Sequence, residues 1–254
     1  MVKTAILTRP RGPYTGDEGL SQRLEAEGFS VMHLTSLAVE ARQLRAEDES
    51  AIRASIQTPE WWIAFLSPTA VYVFRDHCVR LGVEPHRSGV RLAAQGPGTS
   101  EAVRKVFGRE VDLESPIALA EVFAEQLALR LGGAGCVLIP QSADGRDIFG
   151  PLVQQSGAKV VSLAAYGLRT VQPAPEEIAA VRGVSSEDSC LIFMSPSAVR
   201  ATVETFPDLE YLASLRIVSI GPVTSRAVRD AGLTVFAEAK EHTESGIVEC
   251  LKAN

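Results

Sequence analysis

Residues 65–71 read FLSPTAV and residues 193–199 read FMSPSAV. In both copies an apolar run ends in Ser-Pro and turns polar. Ser is a strong helix N-cap because its hydroxyl accepts a bond from a first-turn N–H, and Pro suits the first helical position, where its missing N–H costs nothing. Each stretch therefore predicts a strand that passes directly into a helix.

The pair belongs to a longer correspondence. RLAAQGPGTSEAV at 91–103 is echoed by RIVSIGPVTSRAV at 216–228, and EGFSVMHLTSLAVEAR at 27–42 by SGAKVVSLAAYGLRT at 156–170. Phe65 and Phe193 are 128 residues apart, Gly96 and Gly221 125, and Gly28 and Gly157 129. A near-constant offset of half the chain, too long for a solenoid repeat, means two copies of one supersecondary layout. Short β-rich runs at 4–8, 30–34, 62–66, 90–95, 110–113, 136–140, 159–164, 190–194, 216–220 and 234–237 alternate with helical patterns. Runs such as WWIAFL and CLIFM are apolar throughout, as strands covered by helices on both faces would be.

The expected fold is α/β: two similar lobes, each a parallel, doubly wound five-stranded sheet flanked by helices. The rhythm breaks at 35–48 and at 164–177, equivalent places in the two copies, which read as crossings between lobes. Residues 1–38 and 170–254 then form a discontinuous first lobe, and 39–169 the second.

Composition bounds the partners. The 254 residues are 46% hydrophobic with a net charge of −6, and no Lys/Arg run is present, which argues against broad nucleic-acid binding. No apolar run approaches the roughly 20 residues needed to cross a bilayer. The start, MVKTAILTRP, lacks the pattern of a signal peptide, so a cytoplasmic protein is expected. Cys78, Cys136, Cys190 and Cys250 are far apart, as are His33, His77, His86 and His242, so neither a disulfide framework nor a metal site is signalled.

Four strand ends share one chemistry: LSPTA at 66–70, GPGTSEA at 96–102, MSPSA at 194–198 and GPVTSRA at 221–227. Ser67, Thr99, Ser195 and Thr224 are the expected caps. A capping box would place Glu or Gln three residues later, yet those positions hold Ala70, Ala102, Ala198 and Ala227. Helix starts without a tethered acid suit an external carboxylate or phosphate, and in a doubly wound sheet they gather at the carboxyl edge, where ligands bind. Ordinary capping accounts for any one turn; the fourfold occurrence points to a receptor for a ligand with several anionic arms. Glu101, one turn into its helix, counts against this locally. Arg9 in LTRP and Arg146 in SADGRD could reach such a site or lie on the surface. Tyr166 is either a polar tip where lobes meet or an ordinary linker aromatic. The chain has no GxSxG, HExxH, Walker A or GxGxxG motif.

LTRP, the two Ser-Pro turns, GPGTSEAV, IGPVTSRAV and the Tyr166 of SLAAYGLRT, in this order and spacing, resemble the uroporphyrinogen-III synthase family over essentially the whole chain. Leu66, Met194 and the IPQSADGR stretch depart from the family's pattern. The resemblance implies lobes joined by a two-stranded connection. It also implies cyclisation of hydroxymethylbilane, a linear tetrapyrrole with eight carboxylates, to uroporphyrinogen III with inversion of the last ring, without metal or organic cofactor. It names Tyr166 as the residue that assists departure of the terminal hydroxyl. Ser67, Thr99, Ser195, Ser197 and Thr224 become cleft contacts, and Arg9, Thr69, Gly96, Ser142 and Gly221 complete the expected substrate-binding set. A monomer is expected, with transient contact to the preceding pathway enzyme. The competing reading is a two-lobed binding or sensor protein that closes on a polycarboxylate without reacting it.

Overall fold

The computed structural model describes residues 3–15, 19–85, 89–117, 119–145 and 147–253; Arg146 and His86 lie outside these. The strands among them are β1 (Thr4–Leu7), β2 (Ser30–His33), β3 (Leu37–Ala41), β4 (Trp61–Phe65), β5 (Arg91–Ala94), β6 (Leu113–Glu114), β7 (Cys136–Ser142), β8 (Lys159–Thr170), β9 (Ser189–Phe193), β10 (Arg216–Ser219) and β11 (Val235–Glu238). They form two sheets, ordered β2-β1-β9-β10-β11 and β3-β8-β7-β4-β5-β6.

The two orders are the same order. Counting five strands per sequence repeat, the first half supplies β1, β2, β4, β5 and β6, and the second supplies β7, β8, β9, β10 and β11. Each sheet takes the first two strands of one half and the last three of the other. Both then read second, first, third, fourth, fifth, which is a common doubly wound arrangement. The repeated halves have exchanged their last three strands. Each sheet reverses direction of assembly once, between β1 and β9 in one and between β7 and β4 in the other.

By contacts the chain divides into one unit of Met1–Gly12, Asp17–Ala38 and Arg169–Asn254, and a second of Pro13–Gly16 and Val39–Leu168. The departure from the boundaries read above is chiefly at Pro13–Gly16. Tyr14 explains it: the ring packs on the second unit's core, and the hydroxyl bonds Asp76.

Burial explains why WWIAF does not alternate. Trp61, Ile63 and Phe65 point into one core with Phe74 and Phe107, while Trp62 and Ala64 point into another with Phe123 and Phe149. Helices cover both faces of the sheet, so every position of β4 is buried. Phe65, Phe74 and Phe123 are fully buried, each contributing about 1.5–3 kcal/mol by its transfer from water. The first unit has a matching core of Ala5, Leu7, Cys190 and Ile192 against Leu20, Leu24, Ile247 and Leu251.

Three strand expectations are corrected. The second sheet has six strands, because β3 adds an edge beside β8. That edge is antiparallel: the Arg42 N–H donates to Ala165 and the Val171 N–H to Ser36, so one partner's number falls as the other's rises. The LAVEA of β3 is only partly buried, as an edge strand with one open side would be, which makes its strand signal weak in sequence. β8 continues to Thr170, past the expected end at 164, and β6 lies at Leu113–Glu114 instead of 110–113.

Candidate functional site

In the second unit the strand order reverses where β7 and β4 adjoin, the switch point outside whose carboxyl ends doubly wound sheets bind ligands. β4 delivers Ser67 to its carboxyl end, β7 delivers Ser142, and β8 delivers Tyr166. Ser67 has extended backbone (φ −158°) and its Oγ accepts the Ala70 N–H at 3.2 Å, capping the Pro68–Leu81 helix as the sequence predicts. The hydroxyls of Ser67 and Tyr166 are 3.3 Å apart. Ser142 pairs directly with Tyr166 across the ladder, and the Ala143 N–H donates to the Tyr166 carbonyl at 2.8 Å. Two expected site residues, Ser67 and Tyr166, thus touch through their hydroxyls, and a third, Ser142, is Tyr166's ladder neighbour with its own Oγ accepting the Asp144 N–H at 3.2 Å.

Tyr166 reaches Ser67 through an irregularity. β7 and β8 run in register to Gln141 opposite Ala164, but the next pair is Ser142 opposite Tyr166. Ala165 is therefore an extra residue, a β-bulge on β8. Before the bulge, Val161 and Leu163 face the core that includes the Pro68–Leu81 helix, and Val160 faces the opposite core. Strict alternation would send residue 166 to the Val160 face. With the bulge, Ala165 and Tyr166 are both buried in the helix-side core. Burial pushes the phenol's pKa up, and the Ser67 bond offsets part of that rise. At neutral pH the phenol keeps its proton.

Thr69 occupies the second helical position beside Ser67, half-buried, and its N–H has no intrahelical carbonyl to bond. The second helix start of this unit corrects the sequence reading. The cap of the Pro97–Phe107 helix is Gly96, not Thr99, because the Gly96 carbonyl accepts the Thr99 and Ser100 N–H groups at 3.2 and 3.1 Å. Gly96 has φ +91° and ψ 171°, a region that essentially only glycine enters. Thr99 lies at the third helical position with its side chain buried. Glu101 is ion-paired with Arg104 and Lys105 along its own helix.

The first unit repeats this construction where β1 and β9 adjoin. Ser195 has φ −162° and its Oγ accepts the Ala198 N–H at 3.2 Å, matching Ser67 closely. Ser197 is half-buried, with the Arg200 guanidinium 3.5 Å from its Oγ. Gly221 caps the Pro222–Asp230 helix, and Thr224, expected as the cap, is again buried at the third position. Gly221 is extended (φ 168°), but a Cβ there would fall 2.7 Å from His242 Cδ2. The exposed imidazole lies over the turn where that Cβ would stand. Arg9 follows β1 and its guanidinium bonds Glu244 at 2.6 Å, with both side chains about one-third exposed. His242 and Glu244 carry no local signal of either role, because the sequence separates them from Gly221 and Arg9.

With the caps reassigned, the third helical positions are Ala70, Thr99, Ala198 and Thr224, and none of the four helices has an acid in its first turn. The absence of tethered acid survives the correction. Free N–H groups do not survive it entirely, since Ser67 and Ser195 each use one.

The family model described as "Uroporphyrinogen-III synthase HemD" matches residues 18–249. A uroporphyrinogen-III synthase of Chlorobaculum parvum is 24% identical over 250 residues, covering 92% of each chain. The solved uroporphyrinogen-III synthetase of Helicobacter pylori aligns with a TM-score of 0.62 at 14% identity, over 98% of this chain and 97% of that one. A mutant uroporphyrinogen III synthase of Thermus thermophilus aligns at 0.56 and 18% identity, over 99% and 98%. At such identities these two structures establish the fold.

Proposed function

We propose, because the chain belongs to the uroporphyrinogen-III synthase family, that it is a lyase closing hydroxymethylbilane into uroporphyrinogen III with inversion of the last ring. Its place is in tetrapyrrole biosynthesis. The observation that carries the mechanism is the contact between the Tyr166 and Ser67 hydroxyls at the carboxyl edge of the second unit's sheet. Ser67 accepts the Ala70 N–H, so its own proton is available for Tyr166. The phenolic proton is then free for the substrate. As the terminal C–O bond breaks, that proton leaves with the hydroxyl as water, and the adjoining pyrrole supplies electrons to the azafulvene-like end that remains. The last ring attacks this carbon through its substituted α-carbon, forming the closing C–C bond. Its old bond to the preceding bridging methylene then breaks, and that methylene rejoins the ring at the other α-carbon, which loses its proton, so the ring ends inverted. Overall one water is expelled.

The pyrrole drives most of this, so the chain's larger task is to hold the last ring with one carbon facing the electrophile. Thr69 and Gly96 of one unit, and Ser195, Ser197 and Gly221 of the other, border acid-free helix starts suited to the substrate's carboxylates. Arg9 would join them by exchanging Glu244 for a substrate carboxylate. Thr99 and Thr224 shape their turns from beneath.

The enzyme acts as a cytoplasmic monomer on this one small molecule, binding neither nucleic acid nor membrane. The net charge of −6 supports the first exclusion. Among the described residues no helix is long and apolar enough to cross a membrane. Because free hydroxymethylbilane closes by itself to the uninverted isomer, a short transit from the preceding enzyme would protect it. The test is to supply hydroxymethylbilane and separate the product isomers. A raised type III fraction is expected, whereas a pure binder would leave type I alone.

A further inference from the structure

The bulge that aims Tyr166 is held by a residue that the mechanism above does not use. His77, 1% exposed, lies on the Pro68–Leu81 helix. Its Nε2 is 2.9 Å from the carbonyl oxygen of Ala165, the extra residue of the bulge. Arg80 Nη2 lies 3.1 Å from Nδ1. A guanidinium only donates, so Nδ1 accepts, and the ring hydrogen is on Nε2, donating to Ala165. Burial and then the Arg80 charge hold the imidazole below its ordinary pKa, against the opposing pull of the Ala165 bond. It is neutral at pH 7. The same carbonyl accepts the Arg42 N–H at 2.9 Å, so both its lone pairs are used.

One helix thus grips Tyr166 twice. Its cap, Ser67, meets the phenol, and a side chain ten residues on anchors the backbone immediately before it. A bulged residue is unpaired in the ladder that it interrupts, here the one with β7, while toward β3 the Ala165 carbonyl keeps the Arg42 N–H. The His77 donor comes to the same carbonyl from the helix side, a second anchor that bears on the peptide's orientation and with it on the direction of the next side chain.

We propose that His77 is the positioning residue for Tyr166: through its bond to the Ala165 carbonyl it sets the bulge that turns the phenol toward Ser67 and the reacting hydroxyl. This rests on the reading of Tyr166 as proton donor. A buried histidine with a purely structural role would lower the folded fraction but would leave the turnover of the folded enzyme alone.

The test uses the full-length enzyme with His77→Leu, which deletes the donor, and His77→Gln, which keeps an N–H at nearly the same reach. Each is made alone and with Tyr166→Phe. A displacement of the phenol by a fraction of an ångström is expected to lower kcat about ten-fold in His77→Leu with KM little changed. His77→Gln should restore most of the loss. In the Tyr166→Phe background, His77→Leu should cost nothing further, because the hydroxyl it positions is gone. Wild-type kcat in folded His77→Leu, or the same loss in both backgrounds, would overturn the proposal. If His77→Leu does not fold, His77→Asn replaces it, since its N–H falls too short for the carbonyl.

A second readout separates this idea from the one beneath it. With 13Cζ-tyrosine labelling, the resonance missing in Tyr166→Phe identifies Tyr166 among the four tyrosines. It should shift in His77→Leu and return in His77→Gln. If Tyr166→Phe alone turns over at the wild-type rate, the proton-donor reading fails, yet this shift still reports positioning. An unmoved resonance overturns the positioning role whatever the kinetics.

Discussion

Ser67 Oγ and Tyr166 Oη are 3.3 Å apart although 99 residues separate them in the chain. One is a helix cap, the other the side chain after a β-bulge. Neither feature is a catalytic motif, and together they form a short relay from a helix N-terminus to a buried, protonated phenol.

Tyr166→Phe removes the relay's end and keeps the ring in its core. The lost hydrogen bond is a small stability change, about 1 kcal/mol or less. Turnover should fall roughly 10²-fold, the lower end for general acid catalysis, since the pyrrole assists departure itself. Product formed by the variant should still be type III once spontaneous closure is subtracted, because positioning selects the attacking carbon. Isomer separation after single-substrate assays checks both.

Ser67→Ala and Ser195→Ala delete the same cap in the two units. Each should lose about 1 kcal/mol of stability in denaturant titration. Their kinetics should differ. Ser67→Ala also strips the partner from Tyr166 and should lower kcat, whereas Ser195→Ala should act mainly on KM. Equal kcat losses would show that Tyr166 does not depend on Ser67.

Gly96→Ala and Gly221→Ala separate two reasons for glycine. At Gly96 the backbone lies at φ +91°, and an alanine there should cost about 1–3 kcal/mol. At Gly221 the backbone is extended and the obstacle is the His242 ring, which is exposed and able to move. Gly221→Ala should be nearly neutral in melting temperature. Adding His242→Ala to it should change little more than His242→Ala alone.

Asp48 supplies a pH test away from the site. Its carboxylate accepts the Arg45 Nε–H at 3.0 Å and the Arg45 N–H at 3.3 Å. The Arg45 side-chain bond is the largest cause holding its pKa below the ordinary 3.8, against the opposing effect of burial. A depressed folded-state value gives stability that is present above the unfolded value and lost as pH falls through the folded one. Asp48→Asn should therefore melt below the wild type at pH 7. The gap should close as pH falls from 3.8 downward, measured by thermal scans.

How much was legible follows from distance along the chain. The Ser-Pro caps were readable because a cap bonds an N–H three residues away, and Ser67 and Ser195 behave as predicted. Thr99 and Thr224 were misread because Gly96 and Gly221 offer no side-chain signal, and a Thr two residues past a Pro looks like a cap. β3 escaped because an edge strand buries only part of its surface, and LAVEA has too weak a period to mark it.

By itself the sequence determined that the chain is a duplication of doubly wound α/β halves with four acid-free helix starts. Hydrophobic period, cap chemistry and the 125–129-residue offsets are all written in neighbouring residues or in direct repetition. The two crossings also implied that each lobe draws strands from both halves, but only the tertiary structure decided the order in which those strands pair and the antiparallel edge at β3, because strand pairing is a competition among distant segments of similar pattern. It also decided the face on which Tyr166 lies. SLAAYG carries no mark of a bulge. The extra residue exists only relative to β7, and the His77 bond that holds it spans 88 residues.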